Sequence, residues 1–352
     1  MSDTDPPFRY VPAPPASHAS IETSYASQLT SQYGWRDAGF KRLYSKGKRL
    51  QWDADDRIDW SLELDPANPL GLPDQIIGIY GSDLWNRLPE AERAIVRQHH
   101  QACQMSQFLH GEQAAMMCAA KIVQQASDLD TKMYAATQAM DEARHVEIFS
   151  GLLGKIGIGY AVTPGLSSLL TQVIQESRWD MTFLGMQVLV EGLGVAAFQR
   201  YRDDATNPLV GSIFAYVIQD EARHVAFGRE ALRGHYLELT EAERNEREEF
   251  VIEALRMMAD RLLLAEVWPN VGLPQAECVR IQTQSPSMVY FRKRMFSRIV
   301  PIVKEAGLWG PLMRDGLEKL GVLELADLDP GAMLADDARV AERFDALRAP
   351  PG

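Results

Sequence analysis

Cysteine is scarce in this chain. Cys103, Cys118 and Cys278 are the only three among 352 residues and none stands at a paired spacing, which argues against a thiolate metal site and a disulfide framework. No Gly-rich phosphate loop occurs, so no site for NADH or flavin is visible. Basic residues are in deficit, 36 against 48 acidic, and the net charge of −12 disfavours nucleic acid or an anionic membrane surface as partner. No apolar run approaches the ~20 residues that cross a bilayer. The opening Met-Ser-Asp-Thr-Asp-Pro-Pro lacks the charged start and apolar core of a secretory signal. Together these absences predict a cytoplasmic protein without membrane insertion or a nucleic-acid partner. With 46% hydrophobic and 24% charged residues the chain can bury a large core, but composition names no activity.

Repetition is what it has instead. Asp-Glu-Ala-Arg-His-Val occurs at 141–146 and again at 220–225, and a lone glutamate stands thirty residues before the glutamate of each copy. Shifting Glu112, Glu142 and His145 by 79 positions gives Glu191, Glu221 and His224. A glutamate and a histidine three apart share one face of a helix, so both can reach a single ion. One such pair is too few ligands; the second copy provides for a second ion, and the solitary glutamates from two other helices can complete or bridge the sites. Four carboxylates and two imidazoles in matched halves are the set that holds two iron or manganese ions inside a four-helix bundle.

The flanks argue for burial. Glu112 lies in Phe-Leu-His-Gly-Glu-Gln-Ala-Ala-Met-Met, and Glu191 in Gln-Val-Leu-Val-Glu-Gly-Leu-Gly-Val-Ala. A carboxylate so surrounded must be paired or bind metal. Asp141 and Asp220, each directly before its glutamate, suit the carboxylates that orient metal-bound histidines. The expected pairing crosses the halves, Asp141 serving His224 and Asp220 serving His145, with Arg144 and Arg223 balancing the buried aspartates. Small residues beside the glutamates (Gly111, Ala114, Ala115; Gly192, Gly194, Ala196, Ala197) predict either a substrate cavity or close helix packing. Phe108, Ala115, Met116, Leu184, Gln187, Val188 and Val195 are the candidate cavity lining, although at helical spacing each taken singly reads rather as plain core. His99, His100 and His110 fall outside the repeat and are not expected as ligands.

Along the chain, residues 1–25 lack periodicity and predict a disordered arm, and 26–87 an aromatic-rich extension packed on the bundle. The bundle itself is expected over 88–266. Pro89-Glu90 opens a helix running to about Gln125, Ser127-Asp128 caps the next, and Pro164-Gly165 begins a third region, broken near Trp179, that carries Glu191. Asn207-Pro208 caps a fourth helix, and the capping box Thr240-x-x-Glu243 starts a fifth extending to about Glu266. Residues 267–352 predict a helical appendix, including an amphipathic piece from Met288 to Lys304. The fold class expected is all-α, a ferritin-like four-helix bundle with a di-metal core and extra helices at both ends.

Through the two Asp-Glu-Ala-Arg-His strings and their upstream glutamates, residues 88–266 resemble the ferritin-like non-haem di-iron oxygenase superfamily. The similarity is to bacterial multicomponent monooxygenase hydroxylase subunits and, more distantly, to acyl-carrier-protein desaturases. Three positions depart from relatives in that superfamily. Val195 stands where the hydroxylases carry a threonine, Val217 where aryl-amine N-oxygenases carry an extra histidine, and Phe149 where ribonucleotide reductase radical subunits carry a tyrosine.

The resemblance implies two Fe ions, or Mn/Fe, with O₂ as co-substrate and Glu112, Glu142, His145, Glu191, Glu221 and His224 as ligands. It implies hydroxylation, N-oxygenation or desaturation of a small or medium organic substrate, an external reductase or ferredoxin-type electron donor, and a homodimer. The alternatives are a ferritin-like ferroxidase and an R2-like Mn/Fe radical subunit or ligand-binding oxidase.

Overall fold

A computed structural model describes residues 21–340 and Glu342; most of the expected N-terminal arm, residues 1–20, lies outside the described residues. Those described contain helices and turns and no strand. After a helix α1 (Ala38–Arg49) and several short turns come the long helices. They are α2 (Glu90–Gln125), α3 (Leu129–Ile156), α4 (Pro164–Gln175), α5 (Trp179–Asp204), α6 (Pro208–Leu232) and α7 (Glu241–Arg261).

Local chemistry sets the ends. Glu90 and Glu92 occupy the first turn of α2, where carboxylates complement the helix dipole. Asp128 accepts a hydrogen bond from Thr131 N at 2.8 Å to cap α3, and Gly157 ends that helix at φ 77°, a left-handed conformation favouring glycine. Asn207 caps α6, and Thr240 and Glu243 form the reciprocal box before α7. The chain turns from α2 into α3 and from α5 into α6 within three residues, so each pair forms an antiparallel hairpin. The two hairpins face each other across the ligand-bearing positions.

Two boundaries differ from expectation. Helix α7 stops at Arg261 rather than near Glu266, because the backbone turns through Leu264 at φ 43°, whose side chain is buried. The Met288–Lys304 stretch is two helices, α9 (Pro286–Phe296) and α10 (Val300–Ala306), after α8 (Gln275–Gln284). Chain separates them at Ser297–Ile299, just before Pro301, which cannot supply a backbone donor to a continuous helix. Helices α11 (Pro311–Leu320) and α12 (Pro330–Asp337) complete the described C-terminal part. That part is tied on by buried or bidentate polar contacts: Arg229 grips Glu305 at 2.6 and 2.8 Å, and the Glu248 carboxylate accepts from Gly310 N and Met313 N at the start of α11.

Within α5, residues Phe183–Val190 form a π-helical stretch directly before Glu191. Helix α5 is also long and apolar enough, by length and composition, to cross a membrane. The sequence expectation of no such run missed it because Gln187 and Glu191 interrupt the stretch. In the fold 89% of its most apolar window is buried, so it is a core helix of the bundle.

Candidate metal centre

Four helices bring the repeated residues to one place. Glu112 comes from α2, Glu142 and His145 from α3, Glu191 from α5, and Glu221 and His224 from α6. All six are buried. The cluster resolves into two overlapping groups, Glu112–Glu142–His145–Glu221 and Glu142–Glu191–Glu221–His224, each with ligand atoms within 4.8 Å of one another. Glu142 and Glu221 belong to both.

The distances explain that sharing. Nδ1 of His145 lies 3.2 Å from Glu142 Oε2 and 2.9 Å from Glu221 Oε1, while Nδ1 of His224 lies 3.0 Å from Glu142 Oε1 and 3.1 Å from Glu221 Oε2. Each of these carboxylates therefore spans the two histidines, in position to bridge two ions. The lone glutamates flank the pair: Glu112 Oε2 is 3.2 Å from His145 Nδ1, and Glu191 shares the Gln138 amide with Glu142.

The histidines' other nitrogens face aspartates across the halves. His145 Nε2 lies 3.3 Å from Asp220 Oδ2, and His224 Nε2 lies 3.2 Å from Asp141 Oδ2. With a cation at Nδ1, that contact would hold the ring proton on Nε2. Arg144 bonds Asp141 at 2.5 Å and Asp220 at 2.8 Å, and Arg223 bonds the same two at 3.0 and 2.6 Å, closing a buried four-member ring of charge.

Sequence reasoning missed three contributors. Gln138, one turn before Glu142, donates to both Glu142 (2.9 Å) and Glu191 (3.2 Å); its i−4 spacing was the available signal. Gln51 donates to Asp141 at 2.7 Å and Trp52 Nε1 to Asp220 at 2.9 Å, from a segment some 90 residues or more away in sequence with no motif to mark it. His99 and His110 bond Tyr160 instead of the cluster.

The protein's own charges strain this site. Burial, with Glu221 beside it, pushes the Glu112 carboxyl up to about 8. Burial and the Glu142 and Glu221 charges raise Glu191 well above the usual range. For Glu142 burial pulls upward, but His224 and His145 prevail and hold it well below. Burial opposes charge on both histidines, yet the carboxylates facing them raise each well above 6.5. Six carboxylates against two guanidiniums leave four net negative charges once the ligands are deprotonated, the charge of two divalent cations. Carboxylate and imidazole donors in two shared four-residue groups fit a two-metal site.

A cavity opens on the side of the lone glutamates. It is lined by Glu112 and Glu191, by Phe108, Gly111 and Ala115 of α2, by Gly194, Ala197 and Phe198 of α5, and by Arg261 of α7. Of the expected lining, Phe108 and Ala115 are there, whereas Met116, Leu184, Gln187, Val188 and Val195 are not. Met116 is turned about 100° past Ala115 around α2. Leu184, Gln187 and Val188 share a face with Glu191 only under α-helical counting, and the wider π turn through Val190 shifts that phase; α5 lines the cavity from Val190 onward. Val195, four after Glu191, is fully buried in the core. Small residues divide between both expected uses. Gly111 and Gly194 border the cavity, while Gly192 packs so closely that a Cβ there would lie 3.0 Å from Ile299.

A helical bundle enclosing a buried cluster of four glutamates and two histidines is the architecture of the ferritin-like non-haem dimetal oxygenases. The profile of the family described as p-aminobenzoate N-oxygenase AurF matches residues 36–307, most of the chain. This chain belongs to that family, and it is an O₂-dependent oxidoreductase. Val217, at which the sequence departs from the aryl-amine N-oxygenases it resembles, is fully buried. Solved structures of R2-like ligand-binding oxidases are also similar. A point mutant with anaerobically reconstituted Mn/Fe cofactor is 21% identical (TM-score 0.47, covering 78% of this chain and 95% of that one). Another, with aerobically reconstituted Mn/Fe cofactor, is 20% identical (TM-score 0.44, covering 84% and 95%). No curated protein matches the chain.

Proposed function

We propose that Glu112, Glu142, His145, Glu191, Glu221 and His224 hold two iron ions, or one manganese and one iron, and that the protein oxygenates the nitrogen of a small aromatic amine. The single observation that carries the metal assignment is the sharing of Glu142 and Glu221 between two four-residue groups whose net charge two divalent cations neutralise. Family membership carries the amine.

Bound there, the metals supply reductive activation of O₂, with electrons from a separate reductase or ferredoxin-type donor. The chain's own residues do the rest. Asp141 and Asp220 fix the ring tautomer of His224 and His145, so that Nδ1 stays available at each ion. Arg144 and Arg223 each pair with both aspartates and balance their charge. Glu112 and Glu191 border both cluster and cavity, so substrate approaches from their side. Phe108, Phe198 and Leu166 exclude bulk water there and offer apolar faces to a ring. A cytoplasmic homodimer completes this reading; the three buried free cysteines suit a reducing compartment.

The test is metal analysis of protein loaded anaerobically with Fe(II), followed by O₂ uptake with p-aminobenzoate or aniline as amine. Two metals per chain and amine-dependent uptake yielding hydroxylamine or nitro product are expected. Fewer than two metals in the folded protein, or uptake with no nitrogen-oxidised product, would refute it.

A further inference from the structure

Among the described residues, Arg261 is the only cationic side chain lining the cavity that Glu112 and Glu191 share. Most buried or half-buried arginines in this protein have a carboxylate partner: Arg144 and Arg223 pair with Asp141 and Asp220, Arg247 with Asp180, Arg298 with Asp337. Arg261 has none among the described residues. Its Nε is buried without any hydrogen-bond acceptor, and its one close partner is the Phe108 ring, 5.8 Å from the guanidinium carbon. Its position in the last turn of α7 favours a cation through the helix dipole but satisfies none of its N–H groups. Burial pulls its pKa below the ordinary arginine value, opposed by Cys103 and Tyr201 nearby.

The other polar lining cannot answer it. Gln107 spends its amide on Ala161 O and its carbonyl on Thr163 N. Glu112 and Glu191 face the histidine cluster. A half-buried guanidinium with no carboxylate partner at the edge of an apolar cavity is placed to meet a ligand that brings the counter-charge. Phe108, against which Arg261 lies, is one helical turn before Glu112, a rise of about 6 Å along α2 and the length scale of a single aromatic ring.

We propose that Arg261 is a specificity-determining residue that pairs with an anionic group, a carboxylate on the ring, of the substrate. A compact aromatic amine acid is then held with its acid on Arg261, its ring between Phe108 and Phe198, and its nitrogen toward Glu112 and Glu191. This rests on the amine-oxygenation reading for the choice of amine, whereas the acid on Arg261 stands on the cavity alone.

The experiment compares p-aminobenzoate with its uncharged isostere p-aminobenzamide in the metal-loaded wild type, Arg261→Gln and Arg261→Lys. Dissociation constants are measured anaerobically, without turnover, and nitrogen oxidation separately. The wild type is expected to bind the acid at least roughly 10-fold more tightly than the amide, the increment of a buried charge-assisted pair. Arg261→Gln should abolish that preference by weakening the acid while the amide stays within about threefold, which also reports an intact cavity. Arg261→Lys should restore part of the preference.

Equal binding of acid and amide by the wild type, or an equal loss of both in a folded Arg261→Gln protein, would overturn the proposal. Acid preference without nitrogen oxidation sinks the amine-oxygenation reading and leaves this one standing. Oxidation of both compounds without acid preference does the reverse.

Discussion

Replacing Asp220 by asparagine tests the buried charge ring at one of its two four-fold connected aspartates. Its two oxygens receive Arg223 Nη2 at 2.6 Å, Arg144 Nη2 at 2.8 Å, Trp52 Nε1 at 2.9 Å and His145 Nε2 at 3.3 Å. Burial pulls the Asp220 carboxyl upward, but Arg223, the His145 bond and Arg144 hold it far below the usual range. The amide keeps the shape, removes the charge and turns one NH₂ toward groups that are themselves donors. Asp141 alone then faces two buried guanidiniums. Breaking a buried ion pair by removing one partner costs about 3–5 kcal/mol, and that is the expected loss in urea unfolding of the metal-free protein.

A second readout separates structure from metal chemistry. His145 loses the acceptor that fixes its ring, so affinity for Fe(II) or Mn(II) should fall about 10- to 100-fold in competition titrations. An exposed control, Asp203→Asn, touches only the surface pairs with Arg202 and Arg294 and should change stability by less than about 1 kcal/mol. The reasoning fails if Asp220→Asn is as mild as that control, or if it destabilises the fold with metal affinity unchanged.

Metal binding at pH 7 should release protons, since His145, His224, Glu112 and Glu191 all sit above their ordinary values without cations; titration calorimetry in buffers of different ionisation enthalpy would show it, and affinity should rise with pH through about 8, where Glu112 ionises. A pH-independent affinity would count against the cluster as the binding site. Gly228→Ala should cost about 1–3 kcal/mol in thermal or urea unfolding, because its Cβ would lie 2.5 Å from Gln187 Cβ and 3.3 Å from that residue's carbonyl carbon, locking α6 against the π stretch. No loss would mean the two helices can part freely. His100, buried beside Arg200, is held neutral down to about 4, mainly by burial. The unfolded chain takes up that proton from about 6.5, so its contribution is complete above that pH and is lost on acidification; over this window the wild type should lose about 3 kcal/mol more than His100→Gln. Parallel pH–stability curves for the two proteins would refute that assignment.

How far the site could be read in advance follows from where its information sits along the chain. The six clustered side chains were legible because helical geometry turns a spacing of three into a shared face, and because the 79-residue repeat wrote the same answer twice. The crossed Asp–His contacts were legible for the same reason, each aspartate adjoining its own Glu-x-x-His while the partner histidine lies in the other half. Gln51 and Trp52 were not, since an exposed glutamine and a half-buried tryptophan in a loop gain meaning only once the fold brings them to Asp141 and Asp220.

The cavity failed in a more instructive way. Leu184, Gln187 and Val188 stand seven, four and three residues before Glu191, one face of an α-helix, and a π turn breaks that arithmetic without leaving a proline or glycine pair to announce it. Val195, on the regular side of Glu191, misses the cavity as well, so the π turn accounts for Leu184, Gln187 and Val188 alone. The wider turn has a consequence for chemistry too: it sets the angle at which Glu191 enters the cluster, so straightening it would rotate that carboxylate away from Glu221 and His224 while the other five stay fixed. Deleting one residue within Phe183–Val190 should therefore weaken the second metal more than the first, and simultaneous loss of both would show that Glu191 is positioned by something other than the π turn.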